Sequence, residues 1–527
     1  MAYSFPTAEI LNNASTLEER FRLLNNARST KMEYLREMAA YVNAGLLPEY
    51  EYYSDQDLLT EKYSSTVSVL CEQLTSKIVA AIYPLNNIPF FNWNIPQIPV
   101  FSPEEMSGAR NVGIQTEFWL ANRLEASNYR QALHNVVLNA IVLADSLMYQ
   151  SDEYDFRVYP VSDFVLRRDA AGKIAELIVR DWLEPDLLPD NLASLNGGKR
   201  KSALMMENGR LEAHFTKLMW NVSTKKWDVT KEFRCETYES GKTYTNSPYY
   251  HINWSRVHAE DYGRSLVETN WGEIRSLEML TKALVESAAA ISRVHPAVDP
   301  TGITRPEDID HEDIRNMDVI TARQEDVFWL TPPLNSQLQA LAASVQMSEE
   351  KLSRVFLADT ARSLTGERVT AYQIQQAVQE MEQTLGNVLG SIAQQIQRPV
   401  VLRSMEIEKK KGTWPKENFD LLEQVGRLEI KTGLDALGRQ LEGARLQSLL
   451  GVLQAMPPES VQSLNFDNIL SKLMVSSGLN PEELQYSEEE QQARAEAQQQ
   501  AALQQQVAQQ AIQTGGRVIE DQARNQQ

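Results

Sequence analysis

The sequence predicts an α+β fold in which helix predominates. Three observations lead there. Long stretches, including Tyr63–Pro84, Tyr262–Pro296 and Thr370–Gly412, place apolar residues at helical spacing. Between Tyr149 and about His258 the period changes to two, the spacing of half-buried strands. A compact segment rich in turn residues, 295–333, then interrupts the helices, which resume at Asn335.

Composition narrows the function. At about 100–200 residues per domain, 527 residues make several units or one elongated one. The 71 acidic against 51 basic residues give a net charge of -20, which argues against a generic nucleic-acid binder. Such a surface aids solubility, and it also suits a wall along which DNA moves without sticking. Two cysteines, Cys71 and Cys235, make no disulfide framework or C-x-x-C pattern, which fits a reducing compartment. The start "MAYSFPTAEILNN" has no signal pattern, and no apolar run reaches a membrane span. The expectation is a soluble chain, made in the cytoplasm.

The elements follow in order. Leu17–Asn43 reads as two helices, with Leu17, Phe21 and Leu24, then Met32, Leu35, Met38 and Val42, facing inward. Tyr63–Pro84 is one helix with Val67, Leu70, Leu74, Ile78 and Ile82 on its stripe, ended by Pro84. "LNNIPFFNWNIPQIPVF" is expected to be irregular and packed on the core. Gly108–Leu147 holds two helices, one carrying Ile114, Phe118, Ala121 and Leu124, the next Leu133, Val137, Ile141 and Ala144. Strands follow, with turns expected at "DAAGK", "VSTKK" and "ESGKT". Tyr262–Pro296 is expected to be one helix of roughly 30 residues, about 45 Å long. The segment 295–333 has turns, one short helix and a strand-like "DVFWL". Helix returns from Asn335 to about Asp359 and again from Thr370, where Thr370 and Gln373 have capping-box spacing. Its stripe includes Leu385, Val388, Ile392 and Ile396, and Pro399 implies a kink or break. Asn418–Leu479 reads as short helices, and from Ser487 a Gln/Ala-rich tail is either a helix in a barrel of neighbours or disordered.

Several stretches suggest chemistry. "RSLTGERVTAYQIQQ" sets Arg362 and Arg368 on a Thr/Gly loop and looks like a phosphate loop. However, Gly366 stands alone, Glu367 follows it, and a helical rather than a strand pattern precedes it, so a Walker-type cradle is excluded. "NGGKRKS" at Asn196–Ser202 lacks the first glycine. "PEDIDHEDIR" gathers Glu307, Asp308, Asp310, His311, Glu312 and Asp313, which could ligate a divalent ion, dock a basic partner or form a solvated face. His258 near Asp261, and His295 beside Pro296, have no legible nucleophile or orienting partner, and no G-x-S-x-G elbow occurs. No enzyme, cofactor or metal site is expected.

Four segments carry a resemblance: "YGRSLVETNWGEIRSLEML" at Tyr262–Leu280, "PTGITRP" at Pro300–Pro306, "TGERVTA" at Thr365–Ala371 and "KTGLDALGR" at Lys431–Arg439. In this order the chain resembles the portal (head-to-tail connector) proteins of short-tailed, T7-like bacteriophages. The resemblance covers most of Leu17–Gly478, weakens in Leu183–Tyr249 and is absent from the tail. It implies an outer wing at 1–261, stem helices at 262–294 and 334–359 flanking an α/β clip at 295–333, a tunnel loop at 360–369, a long kinked helix at 370–412, a helical crown at 413–486 and the tail at 487–527. It further implies a homo-oligomeric ring, a dodecamer, at one capsid vertex of the virion. Its partners would be double-stranded DNA, the terminase large subunit, a tail adaptor, the major capsid and scaffolding proteins and internal core proteins, with no membrane. Thr360, Arg362, Ser363, Thr365 and Arg368 would touch DNA phosphates without reading bases. Arg368 and Glu367 could instead bridge subunits. Arg305, Glu307, Asp308, Asp310, Asp313 and Arg315 would form the clip docking surface. The alternatives are a metal-dependent nuclease using Glu307–Asp313, or another virion component such as a tail adaptor, which would lack the helix–insert–helix stem.

Overall fold

Thr16 begins the first helix, its hydroxyl accepting the Glu19 N–H at 3.2 Å. The protein is described by a computed structural model over residues 14–48, 62–83, 89–94, 103–184, 188, 192, 212–258, 260–292, 295–298, 301, 327–330, 335–358, 384–412, 420 and 426–430. One unit comprises Met1–Pro84 with Phe90–Leu434; the second, Leu85–Pro89 with Asp435–Gln527, lies almost wholly outside the described residues.

Helices α1 (Leu17–Ala27), α2 (Ser29–Val42) and α3 (Thr66–Ile82) match the sequence stripes. Val67, Leu70, Leu74, Ile78 and Ile82 are all buried. The strand β1 (Phe91–Asn94) lies in the segment expected to be irregular. It pairs antiparallel with Arg427–Ile430, placing Phe91 opposite Ile430. Helices α4 (Pro103–Glu125) and α5 (Tyr129–Leu143) follow. Every residue of α5 from Val136 to Leu143 is buried, so this helix forms the middle of the core rather than one wall. At about 1.5–3 kcal/mol for each large apolar side chain buried, this element contributes heavily to stability.

The chain leaves α5 sooner than its periodicity suggests. Ala144 takes φ 70 and ψ -43, a strained positive-φ turn close to the γ-turn region, and β2 (Asp145–Gln150) begins at once. β2 is buried on both faces and so shows no alternation. Strands β3 (Phe156–Pro160), β4 (Phe164–Arg168), β5 (Ile174–Leu183), β6 (Glu212–Asn221), β7 (Lys226–Phe233), β8 (Glu236–Tyr244) and β9 (Tyr249–Asn253) complete two antiparallel sheets. Their orders are β3-β2-β9 and β4-β5-β6-β7-β8. The turns at "DAAGK" and "VSTKK" fall between β4 and β5 and between β6 and β7. The third turn is corrected. It lies at Arg234–Cys235, both with positive φ, while Gly241 at φ +86 sits in a bulge of β8 opposite Val229 and Thr230.

Two cores result. The larger joins α2, α3 and α5 to the three-stranded sheet and to Leu385–Ile407. The smaller seats Leu17, Phe21 and Leu24 of α1 on Val165, Ile178, Ala213 and Phe215 of the five-stranded sheet. A salt bridge reinforces that seat: Arg20 Nε donates to Glu176 Oε1 at 2.5 Å.

After β9 come the short α6 (Leu266–Thr269), α7 (Trp271–Ser292), β10 (His295–Val298), β11 (Val327–Leu330) and α8 (Asn335–Val355). The expected single helix is therefore split at Asn270, and the chain from Tyr262 to Ser265 is not helical. Residues 384–392 are helical, Ala393–Gln397 widen into a π turn, and α9 (Arg398–Lys411) ends at Gly412 in the left-handed conformation. The π turn answers the expectation of a kink or break at Pro399. Widening the helix just before it accommodates the missing N–H and the ring without ending the helix. The last strand, β12 (Arg427–Ile430), falls where only short helices were expected.

Candidate functional site

The segment Tyr262–Trp271, quoted above for its resemblance, is a joint between the two-sheet body and the helix pair. Five of its residues make the contacts that hold it: Tyr262, Gly263, Arg264, Ser265 and Glu268. Tyr262 is 7% exposed, and its hydroxyl accepts the Leu166 N–H at 3.1 Å. Arg28 lies over its ring, 4.9 Å from the centroid. Gly263 has no room for a side chain: a Cβ would stand 2.9 Å from Asn253 Cβ and 2.9 Å from the Ser255 carbonyl oxygen. Its N–H donates to both oxygens of Asp145, at 3.1 and 2.8 Å. Lys31 of α2 donates to the Gly263 carbonyl. Arg264 closes a bridge to Ser255, its N–H donating to the Ser255 carbonyl at 2.6 Å. Ser265 and Glu268 then form a reciprocal capping box that starts α6, with the Glu268 N–H donating to Ser265 Oγ at 2.8 Å.

The joint stands over a buried polar cluster. Asp145 is fully buried and also accepts from His251 Nε2 at 3.0 Å. The other ring nitrogen, Nδ1, lies 3.3 Å from Arg168 Nη2. Since Arg168 can only donate, His251 is held as the neutral tautomer carrying its proton on Nε2. Burial pushes the His251 pKa below its ordinary value, against the pull of Asp145. Arg168 also donates to the carbonyls of Asp261, at 2.8 Å, and Gly172, at 3.0 Å. Burial raises the Asp261 carboxyl above its usual range, although it accepts the Arg168 backbone N–H at 3.0 Å.

From this joint α7 runs beside α8. Ile274 and Leu277 of α7, Leu352 of α8 and Phe356 just past the end of α8 are at most 1% exposed. Lys351 and Glu273 make an exposed bridge at 3.4 Å. α8 is tied to α3 by Thr66 Oγ1 donating to Glu349 at 2.9 Å and by Lys77 donating to the Leu357 carbonyl. Glu278 of α7 accepts the N–H groups of Tyr63 and Ser64. Leu357, at φ 55, ends α8. β10 and β11 pair antiparallel between the helices, His295 opposite Leu330 and Val298 opposite Val327. Outward, Met279 is 65% and Met347 60% exposed, with Val285 and Val355 also exposed. These are large apolar side chains left facing outward on the helix pair.

The loop residues Thr360, Arg362, Ser363, Thr365 and Arg368 lie outside the described residues, as do Arg305, Glu307, Asp308, Asp310, Asp313 and Arg315. The capping box at Thr370, the tail and the short helix of 295–333 lie outside them too. His258 is exposed, and Asp261 is directed to Arg168. Among the described residues no group of three or more His, Cys, Asp or Glu side chains could hold a metal ion, and no helix is long and apolar enough to cross a membrane. Sequence reasoning missed Asp145, His251 and Arg168. Their only signal was that Gly263 stands in a quoted motif.

Comparison with known proteins bears on the same residues. Residues 14–484 match the family described as bacteriophage head to tail connecting protein. The portal protein of Escherichia phage T7 is 26% identical over 501 residues, covering 91% of this chain and 89% of that one. The portal protein of Enterobacteria phage T3 is 26% identical over 436 residues, covering 79% and 78%. That of Pseudomonas phage phiKMV is 23% identical over 424 residues, covering 75% and 76%. A solved neck of an empty GTA particle overlaps 75% of this chain and 94% of its own at 13% identity, with a TM-score of 0.37, too loose a superposition to argue from.

Proposed function

This chain belongs to the bacteriophage head to tail connecting proteins, and from that premise we propose that it is a portal, a ring at one capsid vertex through which DNA enters during packaging and leaves during ejection. The observation that carries the reading is the extent of the match, which runs from residue 14 to residue 484 and so takes in both sheets, the joint and the helix pair. The helix–hairpin–helix arrangement on its joint supports a mechanical rather than a catalytic task. The stem is α7 and α8, shorter than the ranges expected from sequence, and the clip is 295–333 with β10 and β11 as its base. The wing is the two-sheet body with α1 to α5. Residues 360–369 are the tunnel loop, and 413–486 are the crown.

The apolar side chains left exposed on the stem are covered by neighbouring copies when the ring closes, a dodecamer. The clip, through Arg305, Glu307, Asp308, Asp310, Asp313 and Arg315, docks the terminase large subunit and afterwards a tail adaptor. Capsid, scaffolding and internal core proteins meet the remainder. The chain supplies no chemistry; a separate motor hydrolyses ATP. Arg362 and Arg368, with Thr360, Ser363 and Thr365, touch the phosphates of passing DNA, while the net charge of -20 per copy keeps the wall from holding it.

The test is packaging by particles built with Arg362→Ala and Arg368→Ala together. Loss of DNA retention that steepens with salt is expected. Packaging and retention equal to the parent's would exclude loop contact. A defect shared with Glu367→Ala and accompanied by weaker rings would assign Arg368 to a bridge between subunits instead.

A further inference from the structure

The groups around His251 leave it one protonation state compatible with the joint. Nε2–H donates to Asp145 at 3.0 Å, and Nδ1 must accept from Arg168 at 3.3 Å. Asp145 is the carboxylate that holds the Gly263 N–H, and Arg168 is the cation that holds the Asp261 carbonyl. The same imidazole therefore touches both groups that fix the turn from Asp261 to Gly263. That turn is over-determined elsewhere. Gly263 admits no Cβ, with the Ala144 carbonyl oxygen 3.4 Å from where one would stand. Ala144 is itself strained at φ 70, and its carbonyl accepts the Trp254 N–H at 3.0 Å. Strain held by surrounding contacts is released when one of them fails.

The charged groups facing His251 come from each neighbouring element. Asp145 opens β2, Arg168 closes β4 and Arg256 follows β9, while Asp261, just before the joint, meets Arg168. Lys31 reaches the joint from α2. The Phe164 ring meets the imidazole edge-on at 5.7 Å between centroids.

We propose that Asp145, His251 and Arg168 form a proton-operated latch on the joint: proton uptake at His251 turns Nδ1 from acceptor to donor, expels Arg168 and frees the Asp261–Gly263 turn from which the helix pair starts. The proton comes from solvent, Nε2–H stays on Asp145, and Arg168 remains a cation that must find other acceptors. The one covalent change is the new Nδ1–H bond, its proton released by a solvent hydronium ion, and the hydrogen bond from Arg168 is lost in exchange. Because the folded-state value of His251 is depressed, the latch is fully closed above the ordinary histidine range of about pH 6.5 and opens as pH falls through the lower, folded value. The latch does not depend on the portal reading, because every group in it belongs to one copy of the chain.

The test uses the purified full chain. Backbone hydrogen exchange of the segment 260–266 is followed by mass spectrometry between about pH 8 and about pH 5, and the imidazole C2 hydrogen exchange of His251 is followed in parallel; each pH unit of linkage is worth about a tenfold change in opening. Protection of 260–266, corrected for intrinsic rate, should fall by about tenfold or more as His251 titrates, while α5 keeps its protection. His251→Gln, whose amide can donate to Asp145 and accept from Arg168 but takes up no proton, should hold protection flat. Protection that does not change with pH, that falls at a pH where His251 is not titrating, or that falls equally in His251→Gln would overturn the latch. If His251→Gln fails to fold, the coincidence of the two exchange profiles in the parent decides alone.

Discussion

The carboxylate of Asp145 accepts the Gly263 N–H with both oxygens, at 3.1 and 2.8 Å, across 118 positions of sequence. Asp145 is completely buried, so this contact fixes where the helix pair leaves the body with little competition from water. Together with the contacts of Glu278 with Tyr63 and Ser64 and of Glu349 with Thr66, that turn sets the position of the pair.

Gly263→Ala tests the turn directly. The added Cβ meets Asn253 Cβ and a backbone oxygen at 2.9 Å, and neither is the end of a flexible side chain. A loss of about 1–3 kcal/mol is expected, the range of overpacking. Gly272→Ala, nine positions further on in α7, meets nothing within 4 Å and should stabilise by about 0.5–1 kcal/mol through helix propensity. Urea denaturation midpoints of the two variants should move in opposite directions.

Acid should loosen α1 through Glu176. Burial pushes this carboxyl up, but the hydrogen bond and charge of Arg20, with Lys217 and Arg167, outweigh it and hold Glu176 below its ordinary value. A depressed carboxylate contributes stability above its unfolded value of about 4.3 and loses it as pH falls through the folded one. Exchange protection of Leu17–Ala27 should fall in that window. Glu176→Gln should be less protected at neutral pH and lack the acid step. An unchanged acid step in that variant would show that another carboxylate governs α1.

Inside the helix pair, burial should outweigh charge. Phe356, one residue past α8 and packed at its foot, is fully buried, and Phe356→Ala should cost about 3–5 kcal/mol. Lys351 and Glu273 are exposed, and removing their bridge should cost under about 1 kcal/mol. Thermal or chemical unfolding of both variants checks the order.

Met279→Glu and Met347→Glu should separate folding from assembly. Both side chains are more than half exposed, so the folded chain should tolerate the charge. If neighbouring copies cover them in a ring, each charge is buried unpaired and assembly fails. Mass photometry should then show monomers with the parent's circular dichroism. Rings as abundant as the parent's would place the subunit interface elsewhere.

Much of the helical fold was readable because local spacing determines it. Val67, Leu70, Leu74, Ile78 and Ile82 lie on one stripe, and each is buried. What escaped was non-local or locally ambiguous. β12 spans four residues and becomes a strand only by meeting β1, more than 300 positions away. Asn270 interrupts a continuous apolar pattern because the short helix begun by the Ser265–Glu268 capping box closes there, the Asn270 N–H turning back to the carbonyls of Leu266 and Val267, before Trp271 starts the next. Gly241 looked like a turn but serves a bulge, while Arg234 and Cys235, poor turn residues by composition, make the turn. The Asp145 cluster was unreadable for the same reason: His251 lies 106 residues and Gly263 118 residues from the carboxylate. The motif containing Gly263 could be quoted by resemblance, but the reason for its glycine required the neighbours that crowd it.

The proposed function requires this chain to close into a ring with a hole wide enough for DNA. Negative-stain class averaging of the purified protein, with mass photometry of the same sample, tests it most directly. Closed rings of one dominant subunit number, about twelve, around a central channel that admits a DNA duplex are expected, the bore being set by geometry rather than base contacts. A compact monomer or dimer that persists across salt and protein concentration would contradict it.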